Sequence, residues 1–234
     1  MEEKRSTARR AGLTAERIAE TACVLTRERG INGWSMRDLA GRLDVAPSVV
    51  YHYYRNRAQL TDAAVERIVL SIGLPDDALP WKEWFVQAAE AARAVLLEHN
   101  GVADILLTGN FPLAAMPAFD RAFGKLYDAG FGRNAPFAYA MVFNVAVGAI
   151  AGRDHQSDRE RVMPHDMDGM LARMRPWTEA SPHFAAMLDE FLAPLTEGRA
   201  AGPDNATSER YFDMLMRALL RGMEETMTEG PHRP

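Results

Sequence analysis

The 234 residues carry 27 Lys/Arg against 32 Asp/Glu, a net charge of −5, with 47% hydrophobic and 25% charged residues. This is an ordinary globular composition, with chain enough for one large or two modest domains. A single cysteine, Cys23, excludes a disulfide framework and a thiolate metal cluster; no apolar run approaches the ~20 residues of a membrane helix, and MEEKRSTARRAG at the start lacks a signal peptide's apolar core, so a cytoplasmic protein without membrane contact is expected.

The charge is unevenly spread. Residues 1–60 hold 11 Lys/Arg and 7 Asp/Glu, while the remainder holds 16 and 25. A basic head on an acidic body suits a chain whose head meets nucleic acid and whose body must not. Residues 1–13, with Lys4, Arg5, Arg9 and Arg10, read as a flexible basic arm, a solvated tail with at most transient DNA contact. Thr14 is the candidate N-cap of a helix to Arg29, with Ile18, Ala22 and Leu25 on one face and Gly30 ending it. Cys23 on that helix reads as a small hydrophobe, and Trp34 as core beneath the next unit.

Residues 35–57, SMRDLAGRLDVAPSVVYHYYRNR, organise the chain. Ser35 and Asp38 have capping-box spacing, and Met36, Leu39, Ala40 and Leu43 follow at i, i+3, i+4 and i+7. Asp44, Val45 and Ala46 interrupt the pattern; Asp44 tolerates the left-handed conformation that a tight turn requires. Pro47 then suits a first helical residue. In the second helix, Pro47 to about Arg55, Val50 and Tyr54 can face inward, leaving Ser48, Val49, Tyr51, His52 and Tyr53 too many for one buried stripe. Such a face, flanked by Arg37, Arg55 and Arg57, suits the DNA major groove, where rings and methyls meet thymine methyls and arginines meet phosphates. The alternative is a three-helix domain whose aromatic face binds a protein partner.

Asn56 with Gln59 caps a fourth helix to about Ile72, whose inner face is Leu60, Ala64, Val65 and Ile68. Gly73-Leu74-Pro75-Asp76-Asp77 marks a boundary. Beyond it, apolar residues recur at helical spacing: Pro80 to about His99, Val102 to Thr108, Leu113 to Ala129, Pro136 to about Gln156, Pro182 to Leu192 and Thr207 to about Met227. Residues 157–181 read as a long mobile loop, and the sequence contains no repeat. The expected fold is therefore all-α, with an arm (1–13), a three-helix helix-turn-helix DNA-binding domain (14–56), a connecting helix (57–73) and a helical ligand-binding and dimerisation domain (74–234).

Aromatics in the body exceed what sealing three or four helices requires. A cavity lined by Trp84, Phe85, Leu106, Phe111, Phe119, Phe123, Met141 and Phe143, with Thr108, Asn144 or His155 as polar groups, would suit a largely apolar small molecule. Gly148 and Gly152, with Tyr211, Leu215, Ala218, Leu219 and Gly222 on the last helix, offer faces for a four-helix dimer bundle. No glycine phosphate loop, HExxH, paired-cysteine signature or nucleophile elbow supports a small helical enzyme, and no cofactor is implied. His165-Asp166-Met167-Asp168 reads as a solvated group rather than a metal site.

Residues 14–68 resemble the DNA-binding domain of the tetracycline-repressor (TetR) family of bacterial regulators, through Gly30, Trp34 to Ala40, Leu43 to Ala46, Val50 to Tyr54, Asn56-Arg57 and Gln59-Leu60. Departures are Asp44, where glycine is usual, and Arg57, where lysine is common. More faintly, His99 to Thr108, Asp128 to Phe131, Asp154 to Gln156 and the last helix resemble the tetracycline-repressor C-terminal domain. The histidine and glutamate that serve a magnesium–drug chelate there fall on Ile105 and Ala151, with only Thr108 kept, so the resemblance implies the architecture without the metal. It further implies a homodimeric, ligand-responsive regulator, most simply a repressor of a palindromic double-stranded operator, with Ser35, Met36, Arg37, Pro47, Ser48, Val49, Tyr51, His52, Tyr53 and Arg57 at the DNA. A regulator working without a ligand is the alternative.

Overall fold

The computed structural model describes residues 13–162, 166–178, 181–194 and 206–228, which are helical with no strand among them. The head comprises α1 (Ala15–Arg29), α2 (Met36–Arg42) and α3 (Pro47–Tyr53), and α4 (Arg57–Leu70) leads out of it. The local chemistry accounts for these limits. Thr14 accepts from the Arg17 N–H at the start of α1. Ser35 and Asp38 form both halves of a capping box on α2, and the Asn56 side chain accepts from the Gln59 N–H on α4. Asp44 adopts φ 54°, the left-handed turn between α2 and α3.

The head's core gathers Ile18, Ala22, Leu25, Trp34, Leu39, Val50, Leu60 and Ala64. Two buried polar groups are satisfied within it. The Trp34 indole donates to Thr26 Oγ1 at 3.0 Å, and that hydroxyl donates to the Ala22 carbonyl at 2.8 Å. The Tyr54 hydroxyl ties α3's exit to the Ala15 carbonyl at 3.0 Å. Through Leu60, Ala64, Val65 and Ile68, α4 packs broadly on α1, so it moves with the head rather than as a free linker.

The body comprises α5 (Trp81–Leu97), α6 (Val102–Leu107), a 3-10 turn (Leu113–Ala115), α7 (Met116–Asp128), α8 (Ala135–Val162), α9 (Met167–Met174), α10 (Pro182–Met187) with a π-type turn after it (Leu188–Leu192), and α11 (Ala206–Met227). The stretch expected to be a loop is corrected: α8 continues to Val162 and α9 occupies Met167–Met174, because a run of polar residues such as 157–161 carries no apolar periodicity by which a helix can be read. A second correction concerns hydropathy. Residues 132–155 form a helical stretch of mean hydropathy 1.6, long and apolar enough by composition alone to cross a bilayer. It is the hub of the body, packed against α5, α6, α7 and α11, and a helix with neighbours on several sides has little need of a polar face.

Backbone hydrogen bonds join head and body at a corner away from the C-terminal end of α4. The Ile31 N–H donates to the Asn100 carbonyl at 2.8 Å, and the Gly101 N–H donates to the buried Asp154 carboxylate at 2.9 Å. Gly30 and Gly101 both have positive φ, 77° and 83°. A Cβ on Gly101 would stand 2.8 Å from Ile31 Cγ2, and one on Gly30 would stand 3.1 Å from the Asn100 side chain. These glycines are required both for their backbone conformation and for the closeness of the joint.

Candidate nucleic-acid interface and ligand cavity

Only Val50 of α3 is buried, so a helix this short exists because Tyr54, the turn and Val50 hold it against the head. Its outer surface presents Pro47, Ser48, Tyr51, His52 and Tyr53, with Val49 half-buried; Tyr51 is 48% exposed. The Tyr53 hydroxyl donates to the Leu13 carbonyl at 2.8 Å, and its ring meets His52 edge-on. Ser35 and Arg37 are exposed beside it on α2. Arg42 pairs with Glu28 and Arg27 with Glu98, whereas Arg37 and Arg55 have no ion pair among the described residues.

Two expected DNA contacts are placed elsewhere. Met36 is buried, because its position in the i, i+3, i+4 stripe turns it into the core. Arg57 is half-buried: its guanidinium lies 5.1 Å over the Trp34 ring and donates to the Ile31 carbonyl at 2.7 Å. The N-terminal turn of α4 aims Arg57 back into the head, where the cation–π contact and the carbonyl hold it.

In the body, a partly open cavity of about 330 Å³ is lined by α4's end, α5, α6, the 3-10 turn, α7 and α8. Trp84, Phe85, Leu106, Phe111, Phe119 and Phe143 line it as expected from sequence. Thr108, Phe123, Met141, Asn144 and His155 do not. Thr108 is exposed and donates to the Ile105 carbonyl, and Phe123 packs behind the wall against Tyr139. Met141 and Asn144 lie on the exposed side of α8, and His155, 60% exposed, pairs with Asp104 at 2.8 Å. Periodicity places a residue on a helix face, but does not say which face meets the void.

The sequence reading missed Tyr139, the alanines of α5 and α7 (Ala88, Ala92 and Ala118 among them), and the end of the connecting helix with the segment after it (Val69, Leu70, Ile72 and Leu74). Alanines at helical spacing were the available signal, since small side chains leave space where larger ones would fill it. Burial pushes the Tyr139 hydroxyl above the usual phenol range, so it stays protonated. Cys23, whose thiol reaches the Ala64 carbonyl at 3.5 Å, is likewise pushed up, to about 11, which keeps it an unreactive thiol.

A three-helix head with one sparsely packed, outward-facing helix, joined by a shared helix to a helical body that holds an apolar cavity, has the architecture of a helix-turn-helix domain. Residues 18–64 match the family "Bacterial regulatory proteins, tetR family". An HTH-type transcriptional regulator of Saccharopolyspora erythraea is 29% identical over 154 residues, 62% of this chain and 64% of that protein, so the match spans just under two thirds of that relative. The class A tetracycline repressor from transposon 1721 of Escherichia coli is 26% identical over 226 residues, 92% of this chain and 95% of the repressor. Streptomyces coelicolor ActR, solved in complex with actinorhodin, shares the fold with a TM-score of 0.69 at 20% identity, over 93% of this chain and 99% of that one. Residues 18–64 therefore carry a domain of the TetR family of bacterial regulatory proteins, and the rest of the chain is similar in sequence and fold to the body of such regulators.

Proposed function

We propose that the chain is a cytoplasmic homodimeric repressor that reads a palindromic operator through α3 and leaves it when a largely apolar molecule fills the body cavity. The observation that carries the switch is the cavity's position: Val69 and Leu70, which end the helix shared with the head, and Ile72 just after it form part of its wall. A ligand that repacks this wall acts on α4 directly, and α4 is packed as one unit with α1. Asn110 and the 3-10 turn also grip α4, with Asn110 donating to Asp62 at 3.0 Å. The coupling is differential affinity for two head orientations.

At the DNA, Ser48, Tyr51, His52 and Tyr53 would meet base edges or phosphates, while Ser35 and Arg37 fix register. Arg57 supports the helix-turn-helix from within. For the dimer, Phe137, Met141, Asn144, Gly148 and Gly152 share one exposed face of α8, and Tyr211, Met214, Ala218 and Gly222 share one of α11. A Cβ at any of these three glycines would meet nothing within 4 Å, so the faces are open to close packing by a second copy.

Selection of bound sites from random duplex DNA at near-physiological salt tests the reading. Recovery of a palindrome with half-sites one helical turn apart supports the dimeric reader. Recovery of only salt-sensitive, sequence-independent binding would remove it and favour the protein-partner alternative for α3.

A further inference from the structure

We infer, on the proposed reading of α3 as the helix at the DNA, that it discriminates bases through the C5 methyl groups of thymines, met by Tyr51 and Val49. The proposed operator would then hold thymines beneath α3 in each half-site. The helix, Pro47–Tyr53, has the sequence PSVVYHY. It contains no Arg, Lys, Asn, Gln, Asp or Glu, the side chains whose hydrogen bonds single out guanine, adenine or cytosine in the major groove. Its polar groups are isolated. Ser48 and His52, at i and i+4, form the ridge opposite buried Val50, and each reaches a base edge at one point. The Tyr53 hydroxyl donates its proton to the Leu13 carbonyl, which leaves it none for a base. The guanidinium groups lie off this face: Arg37 at the start of α2, Arg55 past the end of α3, and Arg57 turned onto Trp34.

What remains for discrimination is apolar surface. Tyr51, 48% exposed, flanks the ridge on one side, and half-buried Val49 flanks it on the other. Thymine is the base that places a methyl group in the major groove, and apolar carbon is what meets it. The ridge between the flanks begins with Ser48, small enough to let the helix seat deeply. Val49 packs on the head's core, and the end of α3 is tied to α1 by the Tyr53 and Tyr54 hydroxyls at 2.8 and 3.0 Å. The two apolar groups are therefore presented at a fixed depth and spacing, which is what a methyl contact requires.

The test uses the full-length protein and a duplex recovered by site selection, with each thymine of a half-site replaced in turn by deoxyuracil. Uracil keeps the base pair and every donor and acceptor on its edge, and lacks only the methyl. Affinity is read by fluorescence anisotropy at near-physiological salt. Binding is expected to weaken about fourfold at each of at least two thymines, the change that one buried methyl group brings. Where such a thymine is replaced by cytosine, paired with guanine, 5-methylcytosine at that place should recover about the same factor. Tyr51→Ala should bring the thymine-to-uracil ratio at one position below about twofold and keep the other, and Val49→Ala should do the converse. A variant that is only less stable weakens thymine and uracil duplexes alike, so the ratio separates contact from folding. Equal binding of uracil and thymine duplexes at every position, or ratios that neither variant alters, overturns the inference while α3 stays a DNA reader. Recovery of no specific site removes the reading of α3 itself, and this inference with it.

Discussion

Thr26 is buried, and its hydroxyl serves Trp34 and the Ala22 carbonyl at once. Thr26→Val keeps the shape but leaves the indole without an acceptor, so a loss of about 1–3 kcal/mol is expected in urea unfolding; no loss would show that the bond adds nothing to the head. Arg37 and Arg57 are separable in the same way. Arg37→Ala should reduce the salt dependence of operator binding by about one counterion and leave the melting temperature unchanged. Arg57→Ala should lower the melting temperature, because the guanidinium is spent on Trp34 and Ile31. A reversal of these two results would return Arg57 to the phosphates. The Ser35 hydroxyl, then its backbone N–H, holds the Asp38 carboxyl below its ordinary range. That contribution is present above the unfolded pKa and is lost as pH falls through the folded one, so Asp38→Asn should flatten the acid limb of the stability profile.

At the scale of elements, α3 and α8 use apolar residues in opposite ways. α3 buries one side chain and leaves rings in water, a poor arrangement for a helix with no macromolecule to meet. α8 is apolar nearly all round because neighbours press on several sides, and what they leave is a single uncovered face. Phe137 is 68% exposed and Met214 of α11 57% exposed. Phe137→Glu with Met214→Glu should convert the proposed dimer to a monomer in sedimentation and abolish cooperative binding to the proposed operator, with the monomer's helicity unchanged. A doubly substituted protein that remains dimeric would move the interface elsewhere.

Across the whole molecule, one line of hydrogen bonds joins body to head: Asp154 to Gly101, Asn100 to Ile31, and Ile31 to Arg57 at the start of α4. It complements the cavity wall, which touches α4 at the other end. Gly101→Ala would place a methyl against Ile31 at a positive φ, costing about 1–2 kcal/mol at that residue alone. Calorimetry should then resolve head melting from body melting, while the parent protein melts in one transition. A single unshifted transition in the variant would mean that the corner is not what binds the two parts.

Local rules determined much of this protein from its sequence. The capping box at Ser35, the proline opening α3, the left-handed Asp44 and the Asn56 cap each depend on neighbours within four residues, and they make the head legible without a fold. The all-helical body follows from apolar spacing, as do the aromatics that can reach its centre. Only the tertiary structure decided which of those faces enclose space. Phe123 and Met141 have the same periodic signature as Phe119 and Phe143, yet only the latter two line the cavity, because that depends on which neighbouring helix is absent on their side. The fates of Arg57, turned onto Trp34, and of Trp84, left without an acceptor, were also set by residues distant in sequence. A side chain's chemistry is written locally; the partner that satisfies it, or fails to, is supplied by the packing.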